Sequence, residues 1–298
     1  MAVDRVDERD AVREPARAAV GAGAEDMVDD PDRRALLSRL HRAVADHAYG
    51  IASHAWAEVA GDLRTAWQDH KQRYPERLRA VPETTPDGGW TAGPHRRLSP
   101  EQHAETAKAY ADIADEGRRD ILPALKRVES ADPARGLAGL GHLVKGEDRL
   151  KEKVAERLMA KPGRTTQQAI DGISDPVRST FVYSPQHYAD GVRADVELLK
   201  AEGFELLKLK NLWSDEQYKG INSQWRRPET GLRFEMQFHT RESLEAKELT
   251  HEAYERIRSD ASPVEREELR QFQRTVNALL ITPERTAEIK DYPEKKHG

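Results

Sequence analysis

The sequence predicts an α+β protein: a helical domain over residues 31–138, followed by a segment, 139–280, in which helices and strands alternate. Two patterns carry this expectation. Leu36, Leu37, Leu40, Val44 and Ala48, and then Trp56, Val59, Leu63 and Trp67, recur at the three-to-four spacing of one helix face. Beyond Gly141, short β-branched and aromatic runs at 178–183, 204–210, 219–226 and 232–239 are interleaved with helical ones.

The elements follow in order. Residues 1–30, mostly Ala, Asp, Glu, Arg and Gly, are expected to be a disordered or mobile tail. The stretch 81–100 holds four prolines and three glycines and predicts a loop. Ser99-Pro100 then opens a helix, in two pieces, to about Val128. A connector from Asp132-Pro133 to Gly141 marks the domain boundary. Helices are expected over 146–160 and from Ser184-Pro185, the latter with a Tyr188, Val192, Val196, Leu199 face ending at Gly203. Arg227-Pro228-Glu229-Thr230-Gly231 joins two strands as a hairpin turn. A helix follows over 243–258. Another starts at Ser262-Pro263-Val264-Glu265, a capping-box spacing, and buries Leu269, Phe272, Val276 and Leu279. Residues 281–298 are expected to be a frayed tail.

Composition narrows the function. A formal net charge of −5 rules out a global basic field for nucleic acid or membrane, though not a local basic pocket. The absence of cysteine excludes disulfides, thiol nucleophiles and cysteine-bound zinc. No apolar run is long enough for a signal peptide or a membrane span, so a cytoplasmic location and no membrane partner are expected. A toxin exported by a leaderless route would have the same signature.

Three groups of residues could carry chemistry. In the 232–239 strand, alternation puts Leu232, Phe234, Met236 and Phe238 on one face and Arg233, Glu235, Gln237 and His239 on the other. The partner strand sets Ile221, Ser223 and Trp225 against Asn222, Gln224 and Arg226. A solvent-facing sheet surface has the same alternation, but such surfaces usually carry Lys, Glu and Thr rather than a row of Glu, Gln, His and Asn. Lys145, Arg149 and Lys153 recur every fourth residue and would share a helical stripe, drifting ~40° per step. A triphosphate would satisfy that stripe, and so would solvent. Asp175 stands at the entrance of the 178–183 strand, where it is either a turn aspartate before Pro176 or, with Glu235, a ligand for magnesium. Two tempting signals fail. His251-Glu252 lacks the second histidine of a zinc-protease helix, Glu255 standing in its place, and no glycine-rich phosphate loop occurs.

Taken in order, VKGEDRLKEKV (144–154), ISDPVRSTFVY (173–183), YKGINSQW (218–225) and FEMQFHTRESLEAKELTHEAYERIR (234–258) resemble the synthetase domain of RelA/SpoT alarmone synthetases. They resemble its small stand-alone and toxin-associated members most. The resemblance spans about 115 residues and implies a nucleotidyltransferase-like mixed β-sheet flanked by helices. It implies an enzyme: a nucleotide pyrophosphokinase that moves pyrophosphate from ATP to the 3′-hydroxyl of a nucleotide acceptor, with Mg2+ as cofactor. Carried over, Asp175 and Glu235 become the catalytic, metal-binding carboxylates. Lys145, Arg149 and Lys153 would hold the ATP phosphates and adenine, and Tyr218 would stack on the acceptor base. Arg178, Asn222, Gln237, His239 and His251 would line the nucleotide pocket. Arg178 stands where the family usually has glycine, His239 replaces its common arginine and Asn222 its histidine. These departures leave the acceptor open among guanosine nucleotides, adenosine nucleotides and the tRNA 3′ end. A toxin or stress effector would use the helical N-terminal half to meet a protein partner: an antitoxin, a trigger or a delivery factor. The alternative is a catalytically inactive nucleotide- or partner-binding domain.

Overall fold

The computed structural model describes residues 54–75, 80–259 and 261–293. The expected helix over 36–48 and the tail over 1–30 lie outside them, as do residues 294–298. The first described helix, α1 (54–73), is followed by three two-residue strands, β1 (Glu83–Thr84), β2 (Trp90–Thr91) and β3 (Arg97–Leu98), paired antiparallel. Where the prolines and glycines predicted only a loop, positive φ at Gly88 and Gly93 turns the chain into a small meander. Trp90 is buried there and donates through Nε1 to Asp148 at 3.2 Å.

Helix α2 (Pro100–Glu116) begins at Ser99, which caps Gln102 in a reciprocal box. A π turn over Gly117–Ile121 joins it to α3 (Leu122–Ser130). Pro123, which cannot donate, interrupts the ladder at this junction. The expected two pieces are therefore one rod with an irregular middle. Gly117 lets that rod approach the sheet: a Cβ there would lie 3.1 Å from Val177.

The main sheet has the order β4-β5-β8-β7-β6, from β4 (Arg135–Ala138), β5 (Val177–Tyr183), β6 (Glu205–Asn211), β7 (Ile221–Arg226) and β8 (Arg233–Thr240). The pair β5 and β8 is parallel and every other pair antiparallel, so the sheet is mixed. A crossover through α6 (Tyr188–Ala201), followed by the β6-β7-β8 meander, brings β8 beside β5. Two helices, α4 (Glu147–Ala160) and the short α5 (Thr166–Asp171), precede β5. The chain ends in α7 (Arg241–Arg258), capped by Thr240, and α8 (Pro263–Ala278). At α8, Ser262 accepts from the Glu265 backbone, but the Glu265 carboxylate turns to Arg256 instead of closing the expected box.

Phe234, Met236 and Phe238 of β8 and Ile221 and Trp225 of β7 are fully buried, as alternation requires. Ser223 shares that face, accepting from Trp225 Nε1 at 2.8 Å and donating to the Met236 carbonyl at 2.7 Å, so its hydroxyl is satisfied in the core. Trp90, Leu98, Ile113, Ile121, Leu125 and Val128 lie in the same cluster. The expected boundary near 138–139 thus crosses a shared core, and residues 135–138 form an edge strand of the sheet. Helix α1 packs on α7 and α8 through Trp56, Trp67, Ala246, Ala253, Leu269 and Val276. Nor is the segment after α8 wholly frayed: Tyr292 pairs with Leu209, and Asn211 Nδ2 donates to Thr286 O and Ile289 O.

Because Leu125 belongs to the core of the sheet, Leu125→Ala is expected to lower stability by ~2–5 kcal/mol. Urea titration followed by circular dichroism and by tryptophan fluorescence should show coincident shifts. A transition confined to the helical signal would mean that the front half folds separately.

Candidate active site

The pairing of β5, β8 and β7 assembles the polar face. Parallel register sets Arg178 beside Glu235 and Thr180 beside Gln237, while the antiparallel register sets Asn222 opposite Gln237 and Gln224 opposite Glu235. Glu235 is held from both sides. Asn222 Nδ2 donates to Oε1 at 3.0 Å and Gln237 Nε2 to Oε2 at 3.0 Å. Both carboxylate oxygens therefore have a fixed neutral donor. Asn222 Oδ1 is buried without a hydrogen-bond partner.

The second element is Asp175, just before β5. Lys153 Nζ lies 2.6 Å from its Oδ1 and 2.9 Å from its Oδ2, and Lys145 Nζ lies 3.0 Å from Oδ2. Two ammonium groups thus share one carboxylate. Burial alone would raise the Asp175 pKa, but the two lysines outweigh it and hold the carboxyl below its ordinary value. Burial also lowers the Lys145 pKa, against the pull of Asp175.

The expected single stripe of Lys145, Arg149 and Lys153 needs correction. Lys145 precedes α4, whose cap is Gly146, and lies on an extended stretch bonded to the start of β5: its N–H donates to Pro176 O at 2.9 Å. It reaches Asp175 from the strand side while Lys153 reaches it from the helix. Arg149 turns away from both. It is exposed and pairs with Glu152 at 2.6 Å and with Glu255 of α7 at 2.9 Å.

His239 and Tyr218 form a third group. Tyr218 Oη and His239 Nε2 are 2.8 Å apart, the rings meet edge-on at 5.4 Å, and His239 Nδ1 lies 2.9 Å from Ser243 Oγ. His239 is completely buried, and a Cβ at Gly220 would lie 2.6 Å from its ring. Burial lowers its pKa to about 3, so it is neutral. With Tyr218 donating to Nε2, Nδ1–H donates to Ser243, whose hydroxyl can donate to Thr240 O at 3.2 Å. The placement corrects the expectation for His239: it cannot line a pocket and instead orients Tyr218. Burial, then the charge of Glu235, pushes the Tyr218 pKa up, so its hydroxyl stays protonated.

Helix α7 packs over β8 and β5 and supplies a wall of which the sequence reading named His251 but not Lys247. Ser243, Lys247, His251 and Glu255 follow at every fourth residue, on one face. Ser243 touches His239 of β8 and Glu255 touches Arg149 of α4, so Lys247 and His251 lie between the two fixed contacts. That spacing was the available signal.

Comparison with solved structures returns several alarmone-synthetase chains at low identity and low TM-score. Small alarmone synthethase 1 from Bacillus subtilis, bound to its product pppGpp, is 15% identical over 63% of this chain and 96% of that one, with a TM-score of 0.43. Small alarmone synthethase 2 from Bacillus subtilis is 16% identical over 59% and 92%, with a TM-score of 0.38. A GTP pyrophosphokinase family protein from Streptococcus pneumoniae is 15% identical over 60% and 87%, with a TM-score of 0.38. No family model matches the sequence, and no curated protein does.

Among the described residues no three His, Asp or Glu side chains gather into a closed metal cage. Asp175 and Glu235 each carry the oxygen donors that a hard cation of the magnesium type takes, one or two protein carboxylates sufficing when water and phosphate oxygens complete the shell.

The buried neutral His239 makes stability depend on pH. Its folded pKa lies below the unfolded value of ~6.5, so the unfolded chain binds the extra proton, and stability falls by up to ~1.4 kcal/mol per unit as pH drops below that value. Thermal melts from pH 7.5 to 5 should be less pH-sensitive in His239→Gln than in the wild type. Equal slopes would mean that the imidazole is not held neutral.

Proposed function

We propose that this chain is a magnesium-dependent nucleotide pyrophosphokinase, transferring pyrophosphate from ATP to the 3′-hydroxyl of a nucleotide, as a toxin or stress effector. The observation that carries the reading is Asp175 with two lysine ammonium groups on it. One carboxylate cannot neutralise two cations, so the site retains positive charge, and a polyanion with its own divalent cation complements it. On binding, Lys145 and Lys153 would turn to the phosphates and release Asp175.

The reaction needs in-line placement, charge neutralisation and a proton acceptor. The acceptor 3′-oxygen attacks the β-phosphorus of ATP. The bond from that phosphorus to the α–β bridging oxygen breaks, and AMP leaves with the electron pair. The proton passes to Glu235, whose oxygens are already oriented by Asn222 and Gln237. Magnesium held by Asp175 and Glu235 would supply charge neutralisation at the transferring phosphates. Tyr218, fixed by its bond to His239, offers a ring to the acceptor base. Arg149 and His251, both exposed, would meet the nucleotide from the solvent side.

The test is incubation with γ-32P-ATP and magnesium with each of AMP, ADP, ATP, GDP, GTP and tRNA. Label is expected on a free nucleotide, with loss on addition of EDTA and a drop of ~10²–10³ in rate for Glu235→Gln. Label on tRNA would move the acceptor to an RNA 3′ end. ATP binding without transfer to any acceptor would leave a catalytically inactive nucleotide- or partner-binding domain.

A further inference from the structure

The loop that presents Tyr218, residues 212–220 between β6 and β7, is tied down more heavily than an exposed turn requires. Residues 214–217 are exposed, and only Trp213 and Gly220 of the loop are buried. Such a loop ordinarily gains little from order. Here Leu212 N–H donates to Gly220 O at 2.9 Å and closes the base. Asp215 Oδ1 accepts from the backbone N–H of Gln217 at 2.7 Å and of Tyr218 at 3.2 Å, and Lys219 Nζ donates back to Trp213 O at 2.8 Å. Two asparagines then fasten the loop from outside. Asn277 of α8 is 3% exposed, and its Nδ2 donates to Gln217 O at 2.9 Å and to Gln273 O of its own helix at 2.8 Å. Asn211, at the other end of the loop, donates through Nδ2 to Thr286 O and Ile289 O and accepts from Trp213 N–H at 3.2 Å. In both side chains the nitrogen sits between two carbonyl oxygens, so the amide has one orientation that satisfies its partners.

We propose that Asn277 is a positioning residue for the acceptor: it holds the carbonyl next to Tyr218 and so keeps that ring in a binding-ready place before the nucleotide arrives. This rests on the pyrophosphokinase reading above, in which Tyr218 meets the acceptor base. His239 fixes the phenolic end of Tyr218, and Asn277 fixes the backbone end. Either tie alone leaves the other end of the residue free to swing. Helix α8 is itself a firm support, since Leu269, Phe272 and Val276 seat it against α1 and α7. The segment after α8 anchors Asn211 and pairs with β6, so the chain beyond the sheet serves the loop at both ends. The ordering cost that acceptor binding would otherwise carry is thereby met in the folded protein. Asp175 and its two lysines share no contact with this set, which confines the effect to the acceptor.

The experiment compares the wild type with Asn277→Leu, Asn277→Gln and Val276→Ala. Asn277→Leu removes the donor at similar volume, and Asn277→Gln keeps an amide one methylene longer. Val276→Ala loosens α8 in its packing with α1 and controls for lost stability. Steady-state transfer gives the KM for acceptor and for ATP separately, and hydrogen exchange of the free protein reads the Gln217 and Tyr218 amides. In Asn277→Leu the acceptor KM should rise about tenfold with the KM for ATP unchanged, and exchange at both amides should quicken. Asn277→Gln should fall between Asn277→Leu and the wild type, and it carries the same comparison if Asn277→Leu does not fold. Val276→Ala should keep the wild-type ratio of the two KM values; were Asn277 merely structural, it would show the same split. Equal changes in both KM values, that split in Val276→Ala, or faster exchange with the acceptor KM unmoved would overturn this assignment and leave the pyrophosphokinase reading standing. Absence of wild-type transfer to every acceptor would overturn both.

Discussion

The carboxylate of Asp175, shared by Lys145 and Lys153, is the contact on which the candidate site depends. It ties three pieces of chain together: the extended stretch before α4, the second turn of α4 and the entrance of β5. The stretch is also stitched to β5 by the backbone, with Lys145 N–H on Pro176 O and Arg178 N–H on Leu143 O. The helix that carries the cations is thereby set against the strand that carries Arg178, and parallel pairing with β8 then places Glu235 beside that arginine. Removing Asp175 would leave one buried and one half-buried ammonium without their counter-charge, an arrangement that costs more than the pair contributes.

The rest of the sheet is organised to keep one face polar without exposing its edges to strain. Alternation in β7 and β8 separates a core of Phe234, Met236, Phe238, Ile221 and Trp225 from a surface of Glu235, Gln237, Asn222 and Gln224. On that surface, side-chain amides hold the carboxylate. His239 belongs to the same face by periodicity, yet α7 covers it, since Thr240 caps the helix immediately after the strand and Ser243 reaches back to the imidazole. The residue became a support for Tyr218 because of where the next helix starts.

Much of this was legible in the sequence because periodicity is local. The β7–β8 hairpin, its turn at 227–231 and the two faces of its strands follow from alternation alone. So do the helices bearing Leu150, Val154 and Leu158, and Tyr188, Val192 and Leu199. The errors concern long-range packing. A helical front half looks autonomous when only its own apolar stripe is considered, but Ile113, Ile121, Leu125 and Val128 need the sheet to complete their burial. The three-cation stripe failed because the helix begins only at Glu147, capped by Gly146, so that Lys145 lies outside it and approaches Asp175 from another direction. Lys247 escaped notice because an isolated lysine on a charged helix has no local signature. Its position becomes meaningful only once Ser243 and Glu255 are seen touching different elements.

The central claim is that Asp175 and Glu235 serve one nucleotide-bound cation, with the lysines of Asp175 released to the phosphates. A crystal structure with magnesium and a non-transferable ATP analogue tests it most directly. The account predicts a single ion with oxygens of both carboxylates at about 2.0–2.1 Å, and Lys153 moved from Asp175 to the triphosphate. An analogue bound elsewhere, with Lys145 and Lys153 still closed on Asp175, would contradict it.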